Sequence, residues 1–247
     1  MLLRRFTQWL VFLLLTFLVA LAVSWALLAK VDFAYSWLHD YAGMAQNITQ
    51  YAPHNPIKPY FDQTTAAERA RLFHGIVVAI HQHGQGLAEL TYHDASGKPL
   101  NTLLTNAEVV HLQDVAHLLD KVKIAALVVM GAWAVMLAGL VYFRQALPST
   151  PQLLLGLLGV SIVSAVVLSL GAVEVFYQLH VWIFPQGHQW FFYYEESLMS
   201  MMMKAPDLFG YIAMMLVALA LCLSVAMLWA YRGLVSRRGY VINLLAK

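Results

Sequence analysis

Long apolar stretches alternate with polar ones along the chain, and this pattern predicts the membrane topology. A helix needs about 20 predominantly apolar residues to cross the hydrocarbon core of a bilayer. Four runs are of about this length: 6–28, 124–143, 152–173 and 208–231. We therefore predict a mainly α, polytopic membrane protein built on a four-transmembrane-helix bundle.

The distribution of positive charge predicts how these spans are oriented. Arginines precede the first run, lie between the second and third, and follow the fourth, and no acidic residue accompanies them. Because cytoplasmic loops carry the excess of Lys and Arg, both termini are expected in the cytoplasm. The resulting segments are 1–29 with span one, an extracytoplasmic cap over 30–121, spans two and three over 122–173, an extracytoplasmic loop over 174–206, and span four with a cytoplasmic tail over 207–247.

Composition narrows the classes of function. The chain is 61% hydrophobic and 11% charged, with a formal net charge of +2, and it has no basic stripe of the kind that binds nucleic acid. All 13 acidic residues and all 10 histidines lie between Asp32 and Asp207, in or beside the two outward segments. A pump or transporter needs ionisable groups in mid-span, so this class is not favoured.

The outward segment 30–121 has the signals of a small α+β cap. Thr65 and Glu68 form a capping-box pattern that opens a helix predicted over 66–82. Two short strands then flank the turn sequence at 94–97. A second capping box, Thr105 with Glu108, opens a helix that continues into span two.

The first candidate for chemistry lies on this second helix. Glu108 and Asp114 flank His111 at three-residue spacing, so the three side chains are expected on one helix face. A carboxylate beside an imidazole fixes its tautomer and raises its basicity. We expect Asp114 to orient His111, and the alternative is that Asp114 is simply a solvated helix residue. For Glu108 we prefer the role of a helix cap to that of a catalytic group.

A second cluster begins just beyond span three. It contains His180 and a series of aromatic residues: Phe176, Phe184, Trp190 and Phe192. Because a short turn joins spans two and three, antiparallel packing is expected to bring His111 and His180 to one rim of the membrane. Trp190 and Phe192 are expected to be interface anchors or walls of an acyl-chain groove.

Together these motifs resemble the bacterial lipoprotein intramolecular transacylases. The shared features are E-x-x-H-x-x-D-V over 108–115, F-x-x-x-H-x-x-x-F-P-x-G-x-x-W-x-F over 176–192, then S-L and P-x-x-F before the last span. Two features depart from the family pattern: Leu112, where the family typically has methionine, and the His- and Pro-rich segment 39–83. They leave undecided which surface would bind the substrate.

The resemblance implies an acyltransferase of the bacterial cytoplasmic membrane, with its site on the extracytoplasmic side. Such enzymes move the sn-2 acyl chain of a diacylated lipoprotein onto the α-amine of its N-terminal cysteine, which gives a lyso-form lipoprotein. The implied partners are this lipoprotein and membrane lipid. His111 and His180 match the catalytic histidines, Glu108 and Asp114 would support them, and Phe176, Phe184, Trp190 and Phe192 would bind substrate. No cofactor or metal is implied, and no residue decides which histidine is the base.

Two other functions remain open at this point. Four histidines (His74, His81, His83 and His93) and the methionine-rich run 199–203 are compatible with a non-enzymatic membrane protein that handles copper or zinc, or with an accessory protein. For the methionines, apolar filler at the lipid boundary is the preferred interpretation. The other function is a hydrolase that releases the acyl chain to water.

Overall fold

The computed structural model of the chain describes residues 2–169, 171–205 and 207–245, with the side chains at 2–4, 150, 157, 160, 167, 168, 172, 173, 176 and 237–245 outside that description. The chain divides into two compact units. The first comprises Met1–Leu27, Lys123–Val166 and Met214–Lys247, and the second comprises Leu28–Val122 and Val167–Ala213.

The first unit contains the apolar helices. Helix α1 spans Leu2–Ala29, and the later part of α5, whose full range is Asn106–Tyr142, follows it in this unit. Helices α6 and α9 span Thr150–Ser169 and Asp207–Leu245. Three of these helices are long and apolar enough to cross a membrane within the described residues: Arg5–Ala29, Asn106–Tyr142 and Asp207–Ser236.

The third predicted span corresponds to helix α6, which has 20 residues. Its apolar helical stretch is Pro151–Val166, α6 ends at Ser169, and the next helix starts at Ala172 after Gly171, whose φ is +104°. A positive φ interrupts a right-handed helix, and glycine adopts it at little cost. The three long apolar helices support an integral membrane fold, and the count of four spans stays a prediction.

An aromatic cluster joins three helices of the first unit. Trp9 and Phe12 of α1 contact Tyr231 of α9 at ring-centroid distances of 6.0 and 5.8 Å, and Leu140 of α5 completes the buried cluster. Edge-on and tilted ring pairs add stabilisation beyond the area they bury. Nearby, the Trp133 indole N–H donates to Thr16 Oγ at 3.0 Å, so this polar group is satisfied within the protein.

The second unit is a small α+β assembly, as the sequence predicts. The hairpin is antiparallel and pairs Thr91 with Thr102, with an irregularity between Tyr92 and His93. Gly97 has a φ of +85° in the connecting turn, which explains why glycine stands there. The elements of this unit are α2 Tyr35–Tyr41, α3 Met44–Tyr51, α4 Ala66–His81, β1 Thr91–His93, β2 Pro99–Thr102, the start of α5, α7 Ala172–Ile183 and α8 Leu198–Met203.

The methionine-rich helix α8 belongs to the core of the second unit. All six of its residues are buried, and it packs against α3. The Asn47 side chain donates to the Met201 carbonyl at 2.8 Å, and the Tyr35 hydroxyl donates to the Met202 carbonyl at 3.0 Å. The expectation of filler at the lipid boundary was therefore wrong, because these side chains fill a protein interior, for which flexible thioethers are equally suited.

Replacing Asn47 with alanine is expected to destabilise the protein. The change removes a buried hydrogen-bond donor and leaves the Met201 carbonyl without this partner, which costs about 1–3 kcal/mol. Thermal unfolding in detergent measures the effect. Thr49→Ala on the exposed side of the same helix is the matched control, and equal melting temperatures for the two variants would contradict the packing of α3 on α8.

Candidate active site

Helix α5 holds His111 in a buried position near its start. Thr105 fixes where the helix begins, because its amide donates to Glu108 Oε2 at 2.6 Å and its hydroxyl accepts from the Glu108 amide at 3.4 Å. This is the reciprocal capping box that the sequence predicts. His111 then lies in the second turn with 7% of its surface exposed.

His111 lies outside the apolar part of α5. The helix has 37 residues and is about 55 Å long, well beyond the hydrocarbon thickness of about 30 Å. The apolar run starts at Ile124, and Asp114, Asp120 and Lys121 precede it. His111 therefore precedes the membrane-spanning stretch by about three turns.

Helix α7 provides the second imidazole in its last turn. The helix ends at Ile183 because Phe184 is extended and Pro185 follows, and a residue before proline disfavours the helical conformation. His180 lies one turn before this end and is partly buried.

The structure brings the two predicted histidines together in the second unit. Their ring centroids are 5.8 Å apart and the ring planes are inclined by 31°. Phe184 contacts both rings, at 4.9 Å from His111 and 5.0 Å from His180. Trp190 lies 5.1 Å from His180, and Phe192 lies 5.9 Å from His111. The result is a pair of imidazoles walled by three aromatic rings.

Phe176, the remaining predicted substrate-binding residue, has its side chain outside the described part of the chain. Tyr177, which none of the motifs includes, lies beside it on α7. Its ring contacts Trp190 at 5.7 Å and Phe191 at 5.7 Å. Tyr177 therefore packs against the aromatic wall.

Glu108 acts as a buried connector between two helices. Only 1% of its surface is exposed, and Oε1 accepts a short 2.5 Å hydrogen bond from the Ser197 hydroxyl. Ser197 in turn caps α8 by accepting from the Ser200 amide at 2.9 Å. The Glu108 carboxylate thus caps α5 and, through Ser197, links α5 to α8.

Asp114 also has a partner other than the one predicted from sequence. Its Oδ2 lies 2.6 Å from Nδ1 of His188, a distance at which the ring N–H donates to the carboxylate. The two acidic neighbours of His111 therefore both reach the segment that follows α7, because their helix face is packed against it. That Asp114 orients His111 stays a prediction, and the Asp114 carboxylate acts on His111 through its charge, which raises the pKa of that imidazole.

Burial sets the protonation state of His111. The pKa of His111 is lowered to about 4, chiefly by desolvation and also by charge repulsion from His180, while the Asp114 carboxylate acts in the opposite direction. The neutral imidazole is therefore the dominant form near pH 7. A neutral ring has one nitrogen that accepts a proton and one that donates a hydrogen bond.

The other histidines named in the sequence analysis are dispersed over the second unit. His74 pairs with Asp32, His83 with Asp120, and His93 with Glu68, whereas His81 Nδ1 contacts the Val77 carbonyl. Among the described residues, no group of three or more His, Cys, Asp or Glu side chains is arranged to hold a metal ion.

Comparison with solved structures finds a match that covers nearly the whole chain. The match is a histidine-to-arginine variant of the membrane-integral lipoprotein intramolecular transacylase Lit from Bacillus cereus, with a TM-score of 0.59 and 15% sequence identity. It covers 97% of this chain and 96% of that one. The chain has the fold of a lipoprotein intramolecular transacylase.

This finding confirms at the level of the fold the resemblance indicated by the sequence motifs. Comparisons with models of known protein families and with curated proteins find no match. Within the transacylase fold, the residues that carry the motif resemblance, His111 and His180, are the two that the structure places side by side.

Proposed function

We propose that this protein is a lipoprotein intramolecular transacylase that moves an acyl chain from the sn-2 ester of a diacylated lipoprotein to its N-terminal α-amine. The observation that carries the proposal is the contact between His111 and His180, 5.8 Å apart by ring centroid, inside an aromatic wall. The fold of the Bacillus cereus transacylase supports it.

The chemistry requires a group that handles protons at neutral pH. An α-amine has a pKa of about 8 and is mostly protonated at pH 7, so it must lose a proton to act as a nucleophile. Once the ammonium has given up one proton to solvent, the neutral nitrogen attacks the ester carbonyl carbon, a C–N bond forms, and the C–O bond to glycerol breaks. In this step the nitrogen loses a second proton and the departing glycerol oxygen gains one, so the step is balanced without a cofactor or a water molecule as reactant.

Two adjacent imidazoles suit these two proton transfers. In our proposal the neutral ring of His111 accepts the proton from the amine nitrogen, because desolvation keeps it unprotonated near pH 7. His180 would then donate to the carbonyl oxygen as negative charge develops there, or to the leaving oxygen. Since the amine and the ester belong to one molecule, holding it bent contributes much of the rate through proximity.

The surroundings favour transfer over hydrolysis. Phe184, Trp190 and Phe192 present apolar rings to the histidine pair, and an apolar enclosure limits access of competing water. A covalent acyl-enzyme is not required. Ser197 is 2% exposed and its hydroxyl is bonded to Glu108, so it is engaged in structure rather than available for attack.

The distribution of arginines along the chain supports a proposal for the location and orientation of the protein in the membrane. We place both termini in the cytoplasm and the histidine pair on the extracytoplasmic side of a bacterial inner membrane, where diacylated lipoproteins expose their N-terminal cysteine. The arginines at the chain ends and between spans two and three support this orientation.

Mass spectrometry of a reporter lipoprotein tests the proposal. The protein is expressed in a bacterial host whose lipoproteins are diacylated with a free amine, and the N-terminal peptide is fragmented. Transfer within one molecule leaves the total mass unchanged, so the fragments must show one amide-linked and one ester-linked chain. We expect this lyso-form with the wild-type protein and the unmodified form with His111→Ala.

Two results would contradict the proposal. A peptide lighter by one acyl chain, together with free fatty acid, would show a hydrolase. An unmodified reporter together with purified protein that carries stoichiometric copper or zinc would favour metal handling.

A further inference from the structure

The aromatic wall of the site lies on one loop, residues 184–197, that is held to α5 at two points. Phe184, Trp190 and Phe192 are all on this loop. Its far end is fixed by the buried bond between Ser197 and Glu108, three residues before His111. Its near part is fixed by the bond between His188 and Asp114, three residues after His111. The two attachments therefore bracket the catalytic candidate on a single helix face.

The sequence around His188 directs its ring toward α5. Gly187 has a φ of +91°, and the His188 amide donates to the Pro185 carbonyl at 3.2 Å. These are the features of a tight turn with glycine at its third position. The turn reverses the chain directly after Phe184, so that His188 meets Asp114 while Trp190 continues to His180.

The His188 position is not among the residues by which the motif of 176–192 was defined. The motif includes Gly187 and Trp190 but not position 188, whereas Glu108, Asp114 and Ser197 all belong to the motifs that carry the resemblance.

We propose that His188 is a positioning residue, and that its bond to Asp114 closes the loop 184–197 over the histidine pair. The inference rests on the proposed function for its catalytic readout, and its structural readout is independent of it. Without the bond, Phe184 and Trp190 would spend part of the time away from the imidazoles, and the bent lipopeptide would be held less often in a reactive arrangement. His188 is half-exposed and needs no contact with the reacting atoms.

The chain contains a matched control for this bond. His83 Nδ1 lies 2.6 Å from Asp120 Oδ2, so the same atoms meet at the same distance on the same helix. Asp120 is six residues beyond Asp114, and His83 lies outside the aromatic loop. The His83 side chain is more exposed than that of His188, 71% against 43%, so its removal measures the loss of an exposed histidine–carboxylate pair away from the site.

The experiment compares three variants of the full-length protein in detergent or lipid vesicles. His188→Ala is expected to lower kcat for a synthetic diacylated lipopeptide about three- to tenfold, in the range of a partly exposed, charge-assisted hydrogen bond. His188→Asn is expected to restore most of the rate, because its side-chain N–H can donate to Asp114 from a similar position. His83→Ala is expected to match the wild type.

Hydrogen–deuterium exchange of the peptide covering 185–196 measures directly how often the loop opens. We expect faster exchange in His188→Ala, wild-type exchange in His83→Ala, and no change in melting temperature in either. The same increase is expected when His188→Ala is made in a His111→Ala background, where turnover is already lost.

These readouts separate failure of this inference from failure of the proposed function. Wild-type turnover and wild-type exchange in His188→Ala, with His111→Ala inactive, would overturn the positioning role and leave the transacylase proposal standing. Faster loop exchange in His188→Ala, in a protein that never yields lyso-form product, would support the attachment and reject the proposed function.

Discussion

Replacement of His111 by alanine is expected to reduce formation of lyso-form lipoprotein by about 10²–10⁴-fold, the usual contribution of a general acid or base. The physical reason is that, in the proposal, the neutral imidazole of His111 takes the amine proton. Initial rates with a synthetic diacylated lipopeptide measure the effect. His111→Gln, which retains more of the volume in this buried position, is expected to be similarly slow.

His117→Ala provides the control for this prediction. His117 lies on the same helix, six residues further along, and is exposed. A rate for His117→Ala equal to that of the wild type, with a large loss for His111→Ala, would assign the effect to the position. Comparable losses for both variants would instead point to a general disturbance of α5.

Replacement of His180 by alanine is expected to cause a loss of the same order, and the double variant is expected to be little worse than either single one. Groups that act as one catalytic unit show strongly non-additive effects, because the first deletion already removes the coupled proton transfer. The 5.8 Å separation of the rings makes such coupling geometrically reasonable. Gln178→Ala, an exposed change on the same helix, is the control.

Additive losses would contradict this account of the site. If His111→Ala and His180→Ala each lowered the rate and the double variant lowered it by the product of both factors, the two histidines would act in independent steps. Their adjacency would then have a structural rather than a catalytic meaning.

Local sequence signals predicted the framework that carries the site. The two capping boxes, Thr65 with Glu68 and Thr105 with Glu108, mark where α4 and α5 begin. The turn at 94–97 separates the two strands of the hairpin. Such features depend on residues within a few positions of one another, so they are visible without a structure.

Side-chain partnerships across long sequence separations were not predictable in this way. Ser197 and Glu108 are 89 positions apart, and His188 and Asp114 are 74 apart. The three-residue spacing correctly indicates a shared helix face for Glu108, His111 and Asp114, but it does not reveal what packs against that face. The loop 184–197 packs against this face, and its residues Ser197 and His188 bind the carboxylates of Glu108 and Asp114.

Hydropathy alone was likewise insufficient for one apolar segment. The methionines at 199–203 are apolar enough for a lipid boundary, yet α3 covers them. An average over a window measures how apolar a segment is, and it does not distinguish lipid from a protein interior.

A crossover experiment with the purified protein tests the central claim most directly. One lipopeptide carries a heavy sn-2 acyl chain and a heavy N-terminal cysteine, and it is mixed with an equal amount of unlabelled lipopeptide in vesicles. We predict that fragmentation of the products shows only heavy chains on heavy cysteines and light chains on light cysteines, and that His111→Ala and His180→Ala yield neither. Crossed products, labelled fatty acid in the water phase, or undiminished transfer by both variants would contradict an intramolecular transfer carried by these two histidines.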